Sequence, residues 1–109
     1  MLPKKNRLTK KEIFLLKEKQ CKVIQGEFFG LIFYPSLEKK FGLIISAKIA
    51  KKAVERNRVK RLLYKVIKEN FWDSSGFFLF LAKKNCLLAD DEKLPKEILS
   101  FKQKVLPVK

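Results

Sequence analysis

Lys48 to Lys68 read KIAKKAVERNRVKRLLYKVIK, nine basic side chains against a single acid, Glu55. Within this stretch Val59, Leu62, Leu63, Val66 and Ile67 recur at i, i+3, i+4, i+7 and i+8, the stripe that an amphipathic helix buries. The spacing predicts a helix from near Ile49 to Phe71. On its wheel Asn57, Arg61, Tyr64 and Lys68 form a stripe opposite the core face, with Arg58 and Lys65 to one side and Lys60 to the other. Partners of opposite sign at i,i+4 are mostly missing, so the helix repels itself in water. It reads as a folded element that presents cations to a polyanion.

Working outward, apolar runs flank this helix on both sides. Phe41 to Ser46 reads as a continuous strand before it. Asp73, Ser74, Ser75 and Gly76 break the chain after it, and Phe77 to Ala82 is an apolar strand suited to the centre of a sheet. Strand, helix, strand predicts a parallel pair joined by a crossover. Upstream, Lys22 to Tyr34 is rich in β-branched and aromatic residues, with Gly26 and Gly30 as bulges or bends. Its short connection to Phe41 predicts an antiparallel pair. Thr9 and Glu12 make a T-x-x-E capping box that starts a first helix, Lys10 to about Lys19. Asp90 and Asp91 offer caps for a last helix with Pro95 in its first turn and Leu94, Ile98, Phe101 and Val105 inward. The order is α-β-β-α-β-α, a single α+β domain over residues 1–109 with a small sheet.

Composition agrees with a polyanion partner. The net charge is +15 on 109 residues, and the chain contains no His. Such a balance points first to nucleic acid, then to an anionic membrane, then to an acidic protein. Ten Phe and an apolar fraction of 47% supply a core and argue against a disordered tail. The basic N-terminus meets no apolar signal segment, and the longest apolar runs are too short to span a bilayer. Cys21 and Cys86 are isolated and cannot fill a tetrahedral zinc site, and they suit two buried thiols in a reducing cytoplasm.

Catalysis by the protein itself has little to work with: there is no imidazole base, no Gly-rich phosphate loop, and no Ser or Cys with a base in sequence reach. No catalytic and no metal-ligating residue is assigned. Binding chemistry is better supplied. Arg forks grip phosphate oxygens in pairs, Lys adds point charge, and Asn57 can order the Arg side chains or touch a ribose hydroxyl. Phe14, Phe28, Phe29, Phe33, Tyr34 and Phe41 are mostly core. One or two exposed rings beside Lys10, Lys11 and Lys17 would give a stacking platform for single-stranded RNA. On charge alone a ribosomal or architectural RNA-binding protein stays open, and a membrane-surface helix is the weaker third reading.

ERNRVKRLL at Glu55 to Leu63 resembles the signature of the bacterial ribonuclease P protein family, the basic partner of a catalytic RNA. NRLTKKEIF at Asn6 to Phe14, FGLIISAK at Phe41 to Lys48 and GFFLFLAKK at Gly76 to Lys84 extend the resemblance over nearly the whole chain. It implies an α/β sandwich with a left-handed strand-helix-strand crossover and a role in removing the 5′ leader of precursor tRNA. The catalytic groups and Mg²⁺ would be held mainly by RNA. It places Lys48, Lys52, Arg56, Asn57, Arg58, Lys60, Arg61 and Lys65 against the RNA subunit. It places Lys10, Phe14, Lys17 and Phe29 along a cleft for the leader, and requires neither a membrane nor an obligate protein partner. Tyr64, Ala47, Glu18 and Cys21 depart from the family pattern, at positions where Arg, Lys, an aromatic and Gly are common.

Overall fold

A computed structural model describes residues 4–18, 21–45, 52–72, 74–87 and 92–105. Its elements run α1 (Lys10–Glu18), β1 (Lys22–Gln25), β2 (Phe29–Tyr34), β3 (Lys39–Ile44), α2 (Ala53–Asn70), β4 (Gly76–Ala82) and α3 (Lys93–Val105). Short 3-10 turns lie at Lys4–Asn6 and Lys84–Leu87. The capping box forms as the sequence predicts. The Thr9 N–H donates to Glu12 Oε1 at 2.9 Å and the Glu12 N–H to Thr9 Oγ1 at 3.2 Å, so α1 begins at Lys10. The α2 helix starts at Ala53; the residues before Lys52, Ile49 among them, and the caps Asp90 and Asp91 lie outside the described residues.

The sheet has the order β1-β2-β4-β3. β3 and β4 are parallel and joined by α2, as the strand, helix, strand order predicts. Two expectations are corrected. Lys22 to Tyr34 is a hairpin rather than one bent strand, reversing after Gly26 so that β1 and β2 pair antiparallel from Lys22↔Phe33 to Gln25↔Gly30. β3 also pairs with β4 and not with β2, because β4 takes the place between them. The physical reason is that β4 is apolar on both sides and loses most by lying at an edge. Residues 35–38 therefore step across the end of β4, where the Gly76 N–H donates to the Glu38 carbonyl at 2.8 Å.

Strand alternation gives the sheet two unlike faces. On one, Phe29, Leu31 and Phe33 of β2, Phe78 and Phe80 of β4 and Phe41 of β3 are buried with Val59, Leu63, Val66, Ile67 and Phe71 of the α2 region. Leu94, Ile98 and Phe101 complete this layer from α3, as the predicted inner face requires. Phe78 sits at the centre, edge-to-face with Phe33, Phe41 and Phe71 at centroid distances of 4.9, 5.2 and 5.6 Å. Each such aromatic pair adds about 0.5–1.5 kcal/mol beyond area burial. Trp72 closes the margin: its ring stacks on Phe41 at 6.4 Å, and Lys39 Nζ lies 3.8 Å from its centroid and donates to its carbonyl at 2.7 Å.

The other face is covered only in part. Leu16 of α1 is buried there, and Glu12, Leu15, Tyr34 and Phe77 border the same small cavity of about 40 Å³. Lys40 Nζ meets Glu12 Oε2 at 2.6 Å and fixes the start of α1 to β3. The segment before α1 adds to the sheet edge through an Arg7↔Phe41 bridge and a Leu8 N–H to Phe41 carbonyl bond of 2.9 Å.

Candidate nucleic-acid interface

Two surfaces collect the residues that the sequence marks for binding, one on each side of the sheet. The first is the outward side of α2. Lys52, Asn57, Arg61, Lys65 and Lys68 are exposed there, while Arg56, Arg58 and Lys60 are half-buried beside them. Burial of the Val59–Leu63–Ile67 stripe fixes the roll of the helix and so aims these cations outward together. Lys48 lies outside the described residues.

Tyr64 departs from the wheel. It is 8% exposed and belongs to the core cluster. It stands about 100° round from Leu63, on the side of the helix that turns toward β3, and a long ring at that boundary lies down against the sheet. Lys60 Nζ is 5.7 Å from the ring centroid, and Tyr64 borders three hollows along this helix, one of about 430 Å³ beside Leu43, Ile45, Arg56 and Asn57. Burial pushes the phenol above its ordinary value, and the Arg7 guanidinium offsets part of that rise. Arg7 is the residue that sequence reasoning missed. Quoted only within NRLTKKEIF and given no role there, it is an exposed cation on the sheet edge whose charge reaches Tyr64 at the basic face of α2.

The second surface comprises α1 and the partly covered sheet face beside it, with Glu12, Leu15 and Leu16 turned to the sheet. Phe14 is 61% exposed, and Lys10 and Lys17 are exposed on the same helix. The alternation that points Phe29, Leu31 and Phe33 into the core turns Gly30 and Ile32 to this side, with Val23 and Gln25 of β1 and Leu81 of β4. Val23 is 53% exposed and Ile32 and Leu81 are half-buried, so the floor is apolar and open. Gly30 itself is buried, because the Gln25 amide lies over it, with Oε1 3.3 Å from where a Cβ would stand.

Phe29 does not join this surface. It is 0% exposed, on the core side of β2, and offers no face to a base. A strand shows alternate residues to opposite faces, and the register here assigns the floor to its neighbour Gly30. Cys21 and Cys86 are thiols that take part in no disulfide among the described residues. Cys86 is fully buried, and burial raises its thiol against the opposing pull of Arg58. Cys21 is half-buried and donates to the Leu16 carbonyl at 3.3 Å. Among the described residues no three His, Cys, Asp or Glu side chains converge to hold a metal ion. No helix among them is long and apolar enough to cross a membrane. The chemistry available is phosphate binding on one side of the sheet and base stacking on the other.

Comparison with known proteins gives one consistent family. The family model described as Ribonuclease P matches residues 2–105. The ribonuclease P protein component of Nitratiruptor sp. is 31% identical over 80 residues, 72% of each chain. That of Coprothermobacter proteolyticus is 28% identical over 86 residues, 78% of this chain and 71% of its own. Two solved structures share the fold. The RNase P protein from Thermotoga maritima superposes with a TM-score of 0.78 at 21% identity, covering 93% of this chain and 98% of that one. The Staphylococcus aureus RNase P protein gives 0.78 at 16% identity over 90% and 95%. With its signature cations displayed on α2, and a family match that runs through nearly every element described, this chain belongs to the ribonuclease P protein family, a component of an endoribonuclease complex of tRNA processing.

Proposed function

We propose that this chain assists the catalytic RNA of ribonuclease P in endonucleolytic removal of the 5′ leader from precursor tRNA. The basic face of α2, from Lys48 and Lys52 through Arg56, Asn57, Arg58, Lys60 and Arg61 to Lys65, binds the RNA subunit. The groove between α1 and the open sheet face takes the single-stranded leader, with Phe14 as the stacking ring and Lys10 and Lys17 on its backbone. Mg²⁺ is held mainly by the RNA subunit and the substrate. The protein lowers the Mg²⁺ requirement by adding cations of its own and raises substrate affinity by holding the leader.

One observation carries this reading: the exposed cations of α2 and the exposed ring of Phe14 lie in different layers, separated by the sheet. A protein that only glued RNA together would need the first surface and not the second. The test is reconstitution with a bacterial ribonuclease P RNA and a leader-bearing precursor tRNA at low Mg²⁺. Cleavage at the mature 5′ end that depends on the protein is the expected result. No stimulation, with tight binding that ignores the leader, would overturn the reading in favour of a ribosomal or architectural protein.

A further inference from the structure

β1 is an edge strand of the open face, beside β2, and it has little burial to hold it there. Of its four residues Lys22, Val23 and Gln25 are exposed, and Ile24 alone packs on the core cluster. Beyond its ladder with β2, it is held from the opposite layer. The carboxylate of Glu97, on α3, accepts the N–H groups of Glu27, Phe28 and Phe29, with Phe28 at 2.9 Å and Phe29 at 2.9 Å from Oε2. Three backbone donors of one hairpin turn thus close on a single side chain far along the sequence.

The rest of the turn is built around that grip. A Cβ on Gly26 would collide with the Glu97 carboxylate, so only glycine leaves room for it there. Lys83 holds the same turn from the end of β4, its Nζ donating to the Gly26 carbonyl and its N–H to the Phe28 carbonyl, both at 2.8 Å. At the other end of β1, Lys22 Nζ donates to the Lys104 carbonyl of α3 at 2.9 Å. Bonds to an ionised acceptor are roughly twice as strong as neutral ones. Glu97 thus brings charge-assisted bonds to three successive N–H groups of the hairpin turn.

We infer that Glu97 is a positioning residue for leader recognition: by gripping the β1–β2 turn from α3 it sets where Val23, Gln25 and Gly30 stand relative to Phe14. The inference rests on the groove being the leader site, as proposed above. It separates two properties that a merely structural residue would lose together, affinity for the RNA subunit and discrimination between precursor and mature tRNA.

The experiment uses Glu97→Gln, which keeps the size of the side chain but turns an amide NH₂ toward the backbone donors. Glu92→Gln, exposed at the start of α3, makes the same change in charge. The reconstituted holoenzyme is assayed for RNA-subunit affinity and for the ratio of precursor to mature tRNA binding. For Glu97→Gln that ratio is expected to fall about tenfold, the equivalent of one charge-assisted hydrogen bond. RNA-subunit affinity and the Glu92→Gln ratio should stay at the wild-type level, while amide exchange of Glu27 to Phe29 rises. An unchanged ratio, or an equal fall in Glu92→Gln, overturns the inference. If Glu97→Gln does not fold, Glu97→Asp, which keeps the charge on a shorter arm, is read by the same two criteria. A wild-type protein with no preference for precursor over mature tRNA would instead overturn the leader reading itself, and this inference with it.

Discussion

The two faces of the sheet are built to opposite standards. The face under α2 and α3 is sealed: Phe29, Phe41, Phe78 and Phe80 have no exposure, and helix residues such as Leu63, Ile67 and Phe101 close over them. The face under α1 has one buried helix residue, Leu16, and leaves Phe14, Leu15 and Val23 open to solvent. Apolar surface left uncovered forgoes about 25 cal/mol per Å² of stabilisation. The sealed face can absorb that loss, so the open face, proposed above to take the leader, need not be closed by packing. Under that proposal the core and the leader site lie on opposite sides of four strands.

The contrast can be broken most severely on the sealed side. Phe80→Ala should cost about 3–5 kcal/mol, read as a drop in the denaturant midpoint, and a much smaller loss would mean that this layer repacks freely. Phe14→Ala should be its opposite, changing stability by less than about 0.5 kcal/mol. In the reconstituted enzyme the same change should lower discrimination for leader-bearing substrate by about 1–3 kcal/mol if a base stacks on the ring. Arg61→Ala with Lys65→Ala tests the outward side of the sealed layer. It should leave folding intact and reduce the log-log salt slope of RNA-subunit binding by about 0.7–0.9 per lost phosphate contact, and an unchanged slope would remove this stripe from the interface.

The smallest effects sharpen how α1 is held. Thr9→Ala removes one half of the capping box and should cost about 1 kcal/mol, visible by thermal melting. Burial works to raise the Glu12 carboxyl, but the Lys40 ammonium and the Thr9 N–H and hydroxyl outweigh it and hold the group below its ordinary value. The sign follows from linkage: a carboxyl lowered in the folded state contributes stability above its unfolded value and loses it as pH falls through the folded one. Glu12→Gln should therefore be less stable than the parent near neutrality, and the gap should close in acid. A gap that persists in acid would assign the effect to packing rather than charge.

Much of this was legible in the residues because local signals and tertiary demands agree. The T-x-x-E box marks the start of α1, the Val59 to Ile67 stripe gives the inward side of α2, and the apolar run after Gly76 gives the central strand. The misreadings fall where long-range partners decide. Nothing local to Gly26 announces a reversal; the carboxylate that stabilises it comes from Glu97. β2 and β3 are neighbours in sequence, but β4 outcompetes β3 for the inner position. The exposure of Phe14 and the burial of Phe29 and Tyr64 depend on register and helix roll, which one-dimensional spacing does not contain.

Trp72 is the chain's single tryptophan, and it stands where the sealed layer, the edge strand and the end of the basic helix meet. Its emission is thus a built-in optical probe of one seam. If the two faces of the sheet melt as one cooperative unit, the fluorescence transition will superimpose on that of the helical signal. If α1 comes away first, the helical signal will move while Trp72 stays silent, and a spectrometer will separate the scaffold from the surface it carries.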